Sequence, residues 1–187
     1  MTTKIVQPRE AKESMTRELN RFLQSQVAGL SVVDLERLIT DLPVLRKRLT
    51  KLPLKTHPYL SDQLEFLCLF VEERVVRRGS DLAEKPVAEA AFALLYFQRA
   101  IDLIPDPIPD MGLLDDAIIV GMVLRREQHA FKQSPYANML WWQEENFEVE
   151  ELLSIISPLR VSSFCFPTTQ GPPADGLRQA IGRKGIR

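Results

Sequence analysis

Carboxylates are the side chains in this sequence whose type and spacing could do chemistry. Five aspartates lie close together in one stretch of the chain: Asp102, Asp106, Asp110, Asp115 and Asp116. Carboxylate oxygens are hard ligands of the kind that Mg²⁺ and Ca²⁺ prefer. The sequence therefore offers a candidate divalent-metal site, and with it the hypothesis of a metal-binding protein or a metal-dependent enzyme.

Three prolines, Pro105, Pro107 and Pro109, lie among these aspartates and restrict the path of the backbone. Proline fixes its own φ and disfavours the helical conformation of the residue before it, so no helix can run through residues 104–109. In an extended path of about 3.1 Å per residue, Asp102 and Asp110 would lie about 25 Å apart. A metal site therefore requires this connector to fold back on itself.

Helix capping is the alternative interpretation of the same aspartates. Asp102 could brace the turn after the preceding helix, and Asp110 could cap the next one. Asp115 and Asp116 would then lie in the first turn of that helix, where negative charge is favourable. Capping imposes fewer requirements than coordination, so we favour it while keeping the metal hypothesis open.

The segments on either side of the connector predict two buried helices. Residues 86–100 and 113–131 are apolar almost all the way round, which is typical of central helices in a bundle. The apolar part of the second segment spans about 18 Å, against about 30 Å for the hydrocarbon core of a bilayer. We therefore predict an all-α fold, a compact multi-helix bundle around this helical hairpin. The connector would form a rigid corner, with Ile101, Ile104 and Ile108 packed inward.

The rest of the chain predicts further helices around the hairpin. Apolar periodicity favours helices over residues 15–29, 31–52 and 61–78, with a capping box at Ser31 and Asp34, a kink or a restart at Pro43, and a stop at Gly79. Ser61 or Asp62 is expected to cap the third. The predicted organisation is a basic helical extension (1–57), a helical domain (58–132), C-terminal helices packing on it (133–160) and a disordered tail (161–187).

A family resemblance rests on the string I-D-L-I-P-D-x-I-P-x-x-G-x-L-D-D, which stands at Ile101–Asp116. This string resembles the signature of the YkvA-like family of uncharacterised domains, and the likeness extends over roughly residues 60–125. The resemblance implies a small all-helical module with no established activity. It also implies that membrane association, seen in some relatives, is one expectation to test.

Charge and residue usage restrict the other functions. Residues 1–57 carry 11 Lys/Arg against 6 Asp/Glu, and residues 58–116 carry 5 against 12. Attraction between these two parts across the fold explains the asymmetry at least as well as a nucleic-acid patch does, and no nucleic-acid partner is expected. The cysteines, Cys68 and Cys165, and the histidines, His57 and His129, form no recognisable catalytic or zinc motif. The first residues contain no apolar leader, which predicts a cytoplasmic protein, with membrane association as the second option.

The leading hypothesis is a non-catalytic helical module that binds an unknown protein partner or contacts a membrane surface peripherally. Whether the protein is an enzyme stays open, although the residues argue against it. The basic cluster Arg46, Lys47, Arg48, Lys51 and Lys55 could contact anionic lipid or simply be a solvated face. No cofactor is expected, and Mg²⁺ or Ca²⁺ is the alternative.

Overall fold

The chain folds as a helical bundle, which confirms the predicted all-α class. The structure is a computed structural model, and it describes residues 8–52, 57, 59–99 and 113–139. Within those ranges there is no strand. The helices are α1 (Pro8–Ala28), α2 (Val32–Leu49), α3 (Leu60–Val71), α4 (Lys85–Arg99), α5 (Leu114–Arg126) and α6 (Gln128–Lys132), and a π-helical segment, Glu72–Arg77, continues α3.

Several predicted features lie outside the described residues. These include the proline connector with Asp102, Asp106 and Asp110, and its isoleucines Ile101, Ile104 and Ile108. The C-terminal segments 140–160 and 161–187 lie outside them as well. The rigid corner and the division of the chain into four parts therefore stay predictions.

Helix α2 begins at the predicted capping box. The backbone N–H of Asp34 donates to Ser31 Oγ at 3.2 Å, and the backbone N–H of Ser31 donates to Asp34 Oδ2 at 3.1 Å. Pro43 lies inside α2 and does not end it, so a restart of the helix at Pro43 is wrong, whereas a kink there stays a prediction. Proline removes one backbone donor, and buried leucines on both sides of it hold the helix on the core: Leu35, Leu38, Leu42, Leu45 and Leu49.

Helix α3 begins without the predicted cap, and the π-helical segment that continues it ends just before the predicted glycine. Tyr59 precedes it and makes no side-chain capping bond. The hydroxyl of Ser61 instead donates to the carbonyl of Leu49 at 3.2 Å, which ties the start of α3 to the end of α2. Gly79 follows the π-helical segment with φ 69°, a conformation that glycine adopts at little cost.

The predicted helix over residues 113–131 is divided in two. The backbone at Glu127 departs from helical geometry, with φ −104° and ψ 18°, and separates α5 from α6. This turn allows Phe131 of α6 to pack edge-on against Phe66 and Phe70 of α3, at centroid distances of 5.4 and 4.8 Å. No helix within the described ranges is both long and apolar enough to cross a membrane.

Helix α4 is buried because other helices cover it on every side. Residues 87–97 of α4 are all buried. On the α1 side, the Phe22 ring meets Phe92 and Tyr96 edge-on, with centroids 6.1 and 6.4 Å apart. Helix α1 begins at Pro8 rather than at the expected Met15. Because α1 and α2 share the core of the hairpin, they hold α4 and α5 in position.

Candidate functional site

The hairpin carries two buried aspartates at the start of α5. Asp115 and Asp116 lie in the first turn of the helix and are 3% and 7% exposed. The hydroxyl of Tyr96 on α4 donates to Asp115 Oδ2 at 2.8 Å. A carboxylate at a helix N-terminus is favoured by the helix dipole. Asp115 therefore joins α4 to α5 through a buried hydrogen bond.

The proposed metal ligands can be compared with the structure only in part. Asp115 and Asp116 are described, whereas Asp102, Asp106 and Asp110 lie outside the described residues. In the part of the chain that is described, no group of three or more His, Cys, Asp or Glu side chains could hold a metal ion. The metal site consequently stays a prediction, and the observed contact of Asp115 is with Tyr96.

A second buried polar cluster lies at the opposite ends of α4 and α5. Arg126 donates from Nη2 to Glu89 Oε1 at 2.8 Å and from Nε to Glu89 Oε2 at 3.1 Å. Its Nη1 donates to Asn20 Oδ1 of α1 at 2.9 Å. One guanidinium therefore contacts α1 and α4 from its position on α5.

Lys85 and Glu127 extend this cluster toward solvent. The ammonium of Lys85 is paired with Glu127 and lies 3.5 Å from Glu89 Oε1. The hydrogen bond to Glu127 raises the pKa of Lys85 above its usual value. Sequence reasoning did not identify Glu89 as part of a polar cluster. The sequence did contain a signal for this cluster, because Glu89 is a single acidic residue inside an otherwise apolar segment. A charge that is buried needs a partner, so such a residue indicates an ion pair.

One buried polar side chain lacks an internal partner in the described part of the chain. Gln63 on α3 is fully buried, and neither its Oε1 nor its Nε2 makes a hydrogen bond there. A buried amide without partners costs about 1–3 kcal/mol. Gln63 is therefore a local source of instability in an otherwise apolar helix face.

Cys68 and His57 are also buried. Burial raises the pKa of the Cys68 thiol to about 12, so very little of it is thiolate at neutral pH. Burial lowers the pKa of His57 below its usual value. Cys68 is therefore an unreactive thiol of the core.

Part of the basic cluster is engaged inside the fold. Arg46 on α2 donates from Nε to Glu65 Oε1 at 2.8 Å and lies 3.5 Å from Glu72 Oε2. The hydrogen bond to Glu65 raises the pKa of Arg46. Arg46 therefore fastens α2 to α3. Three other basic residues of the cluster are exposed: Lys47 and Arg48 at the end of α2, and Lys51 just after it.

A groove of about 390 Å³ lies between α2 and the C-terminal end of α4. Val44 on its rim is 71% exposed. The guanidinium carbon of Arg48 lies 5.0 Å from the centroid of the Phe97 ring, a cation–π contact between the two helices. The groove is lined by Arg37, Asp41, Val44, Leu45, Arg48, Leu95 and Gln98. Sequence reasoning did not identify it.

Comparison with known proteins gives one match. Residues 87–122 match the model of a family described as a protein of unknown function (DUF1232). The matched segment lies within the region where the sequence shows its family resemblance, and it contains Glu89, Tyr96, Asp115 and Asp116. No curated protein and no solved structure gives a significant match to the chain.

Proposed function

We propose that this protein is a non-catalytic helical module that binds a partner protein through the groove between α2 and α4. The observation that supports this proposal is the rim of the groove, where Val44 is 71% exposed. Leu45 and Leu95, which are 2% and 3% exposed, form the buried floor of the same groove, and Arg37 and Arg48 flank it. A partner side chain that enters such a groove beside Val44 would be shielded from water, as the central residues of protein interfaces are.

The polar groups of the described hairpin support a structural role for the hairpin itself. Glu89 is paired with Arg126, and Asp115 accepts a hydrogen bond from Tyr96. Buried groups that satisfy one another stabilise a fold and fix the relative positions of its helices. The hairpin would then be the scaffold, and α2 would present the surface that a partner meets.

The distribution of exposed apolar residues favours a protein partner over a membrane. The large apolar side chains that are well exposed in the described ranges are Val32, Val33, Val44 and Val76. Val33 and Val44 are separated by about 16 Å along α2, and Val76 belongs to a different segment. A membrane-binding surface is expected to be contiguous, whereas these valines are scattered.

We also propose the finer family assignment, a cytoplasmic YkvA-like domain. Its support is the signature string at Ile101–Asp116, which falls inside the matched residues 87–122. Three residues at the end of the string, Leu114, Asp115 and Asp116, are buried against the hairpin. Their burial gives a physical reason for leucine and aspartate at these positions.

The test compares proteins recovered with the tagged full-length chain from cells. We expect a specific partner to be recovered with wild type and with Val76→Asp, a matched control at a valine that is 60% exposed outside the groove, and to be lost with Val44→Asp. The same proteins recovered with all three chains would overturn the proposal. Sedimentation with anionic vesicles is run in parallel, and binding that only Val44→Asp loses would assign the groove to a membrane instead.

A further inference from the structure

We infer that the groove between α2 and α4 accepts an amphipathic helix of a partner protein, whose acidic residues are spaced three turns apart. This inference rests on the proposed function and adds the chemistry of the partner. It is carried by the charges along the groove, by the exposed Val44 between them and by the spacing of the charges along α2.

The two arginines of the groove lie on one side of α2. Arg37 and Arg48 are eleven positions apart, which is about three turns and about 16 Å of helix. Both side chains are exposed, and neither forms an ion pair with any described residue. The helix backbone therefore fixes the separation of these two hydrogen-bond donors. A second helix that runs alongside α2 could place carboxylates at the same separation if they are eleven positions apart.

Arg48 is held in position for such a contact. Its guanidinium carbon lies 5.0 Å from the centroid of the Phe97 ring. A guanidinium over an aromatic face keeps its N–H groups in its own plane, where they can donate two parallel hydrogen bonds to one carboxylate. The contact with Phe97 favours one position of the guanidinium before a partner arrives, and such preorganisation lowers the entropic cost of binding.

The groove between the arginines has one exposed apolar side chain and one acid. Val44, which is 71% exposed, can contact an apolar side chain of a facing helix, whereas Leu45 and Leu95 are 2% and 3% exposed and form the buried floor of the groove. Asp41 lies between Arg37 and Val44, so it disfavours a carboxylate opposite it and favours a lysine or arginine. The groove therefore presents a positive, negative, positive order, and the matching helix has an acid, base, acid order.

The positive, negative, positive order of charges along the groove disfavours nucleic acids and anionic lipids. A nucleic acid or an anionic lipid surface presents negative charge without a central positive group, and would meet Asp41. The N-terminal part of the chain nevertheless attracts acidic partners, since residues 1–57 carry 11 Lys/Arg against 6 Asp/Glu. An acidic amphipathic helix satisfies both the overall charge and the local order.

The test measures fluorescence anisotropy with full-length protein and a labelled synthetic helical peptide of about 18 residues. The peptide has leucines along one stripe, glutamates eleven positions apart and a lysine between them. A second peptide exchanges glutamate and lysine at those three positions. We expect the first peptide to bind at least about tenfold more tightly, which corresponds to about 1.4 kcal/mol.

Variants connect that preference to the groove. Arg37→Glu combined with Arg48→Glu is expected to abolish or reverse it, whereas Arg77→Glu, at an exposed arginine of the π-helical segment, is expected to preserve it. Thermal unfolding of each variant checks that it folds, which is expected because all three substitutions are at exposed positions.

Two outcomes separate this inference from the proposed function. If both peptides bind equally, or if the paired variant keeps the preference, the inference is wrong. Should Val44→Asp still lose a cellular partner in that case, the groove binds a partner of other chemistry and the proposed function stands. If Val44→Asp still recovers the cellular partner and still binds the peptide, both the proposed function and this inference are wrong.

Discussion

Arg126 of α5 donates hydrogen bonds to both carboxylate oxygens of Glu89 of α4, from Nη2 at 2.8 Å and from Nε at 3.1 Å. The Glu89 side chain is 2% exposed and that of Arg126 is 21% exposed, so the pair is largely withdrawn from water. Asn20 of α1 accepts the remaining guanidinium contact at 2.9 Å. The pair therefore fixes three helices at a single point.

Removing the arginine is expected to destabilise the fold strongly. Arg126→Met leaves the buried carboxylate of Glu89 without its main partner, and breaking such a pair typically costs about 3–5 kcal/mol. Urea unfolding measures the change. The control is Arg77→Met, at an exposed site, where we expect a change within about 0.5 kcal/mol. Adding Glu89→Gln to Arg126→Met should recover part of the loss, and a cost below about 1 kcal/mol for Arg126→Met would contradict this account.

The contact between Tyr96 and Asp115 separates capping from metal binding. If Asp115 serves the fold, Tyr96→Phe and Asp115→Asn should each lower the free energy of unfolding by about 1–3 kcal/mol, because each leaves a buried polar group poorly satisfied. Thermal unfolding is measured with and without Mg²⁺ and Ca²⁺. For each protein, we expect the same unfolding midpoint with and without the metal ions.

A metal-dependent rise in the midpoint would restore the metal hypothesis. A ligand at 100 times its dissociation constant stabilises a protein by about 2.7 kcal/mol, which would be readily seen. A shift that wild type shows and that Asp115→Asn or Asp102→Asn loses would assign these aspartates to a metal site. The capping interpretation would then be wrong.

Gln63 offers a stabilising substitution. Its amide is fully buried and makes no hydrogen bond within the described residues, so Gln63→Met exchanges an unsatisfied polar group for an apolar one of similar shape. We expect the free energy of unfolding to rise by about 1 kcal/mol. Gln24→Met, at an exposed position of α1, should change it by less than about 0.5 kcal/mol. A loss of stability in Gln63→Met would indicate that the amide has a partner in solution.

Local signals in the sequence were sufficient for much of the fold. The capping box at Ser31, the glycine stop at Gly79 and the leucine stripe of α2 depend on neighbours within a few positions, so periodicity and capping rules identify them. The break at Glu127 depends on Phe131 reaching α3, and the bond from Ser61 to Leu49 crosses between helices. Contacts of that kind leave no local pattern.

The candidate site was only partly predictable for the same reason. The aspartates at the start of α5 could be placed in its first turn from sequence, but Glu89 and Arg126 are 37 positions apart and their pairing is a tertiary contact. Val44 shares α2 with buried leucines, and only the arrangement of α2 against α4 decides that it is exposed. A groove is a property of two packed helices, so neither sequence segment indicates it alone.

His57 should make stability depend on pH on the acidic side of neutrality. Its side chain is buried, and burial lowers its pKa from the usual 6.5. The unfolded chain therefore binds a proton near pH 6.5 while the folded chain does not, so the free energy of unfolding falls as pH decreases below about 6.5.

His57→Gln should flatten this dependence between about pH 7 and 5.5, whereas His129→Gln, at an exposed site, should leave it unchanged. Carboxylates titrate similarly in all three proteins and cancel in the comparison. If the His57→Gln curve parallels that of wild type, burial of His57 is not the source of the acid sensitivity.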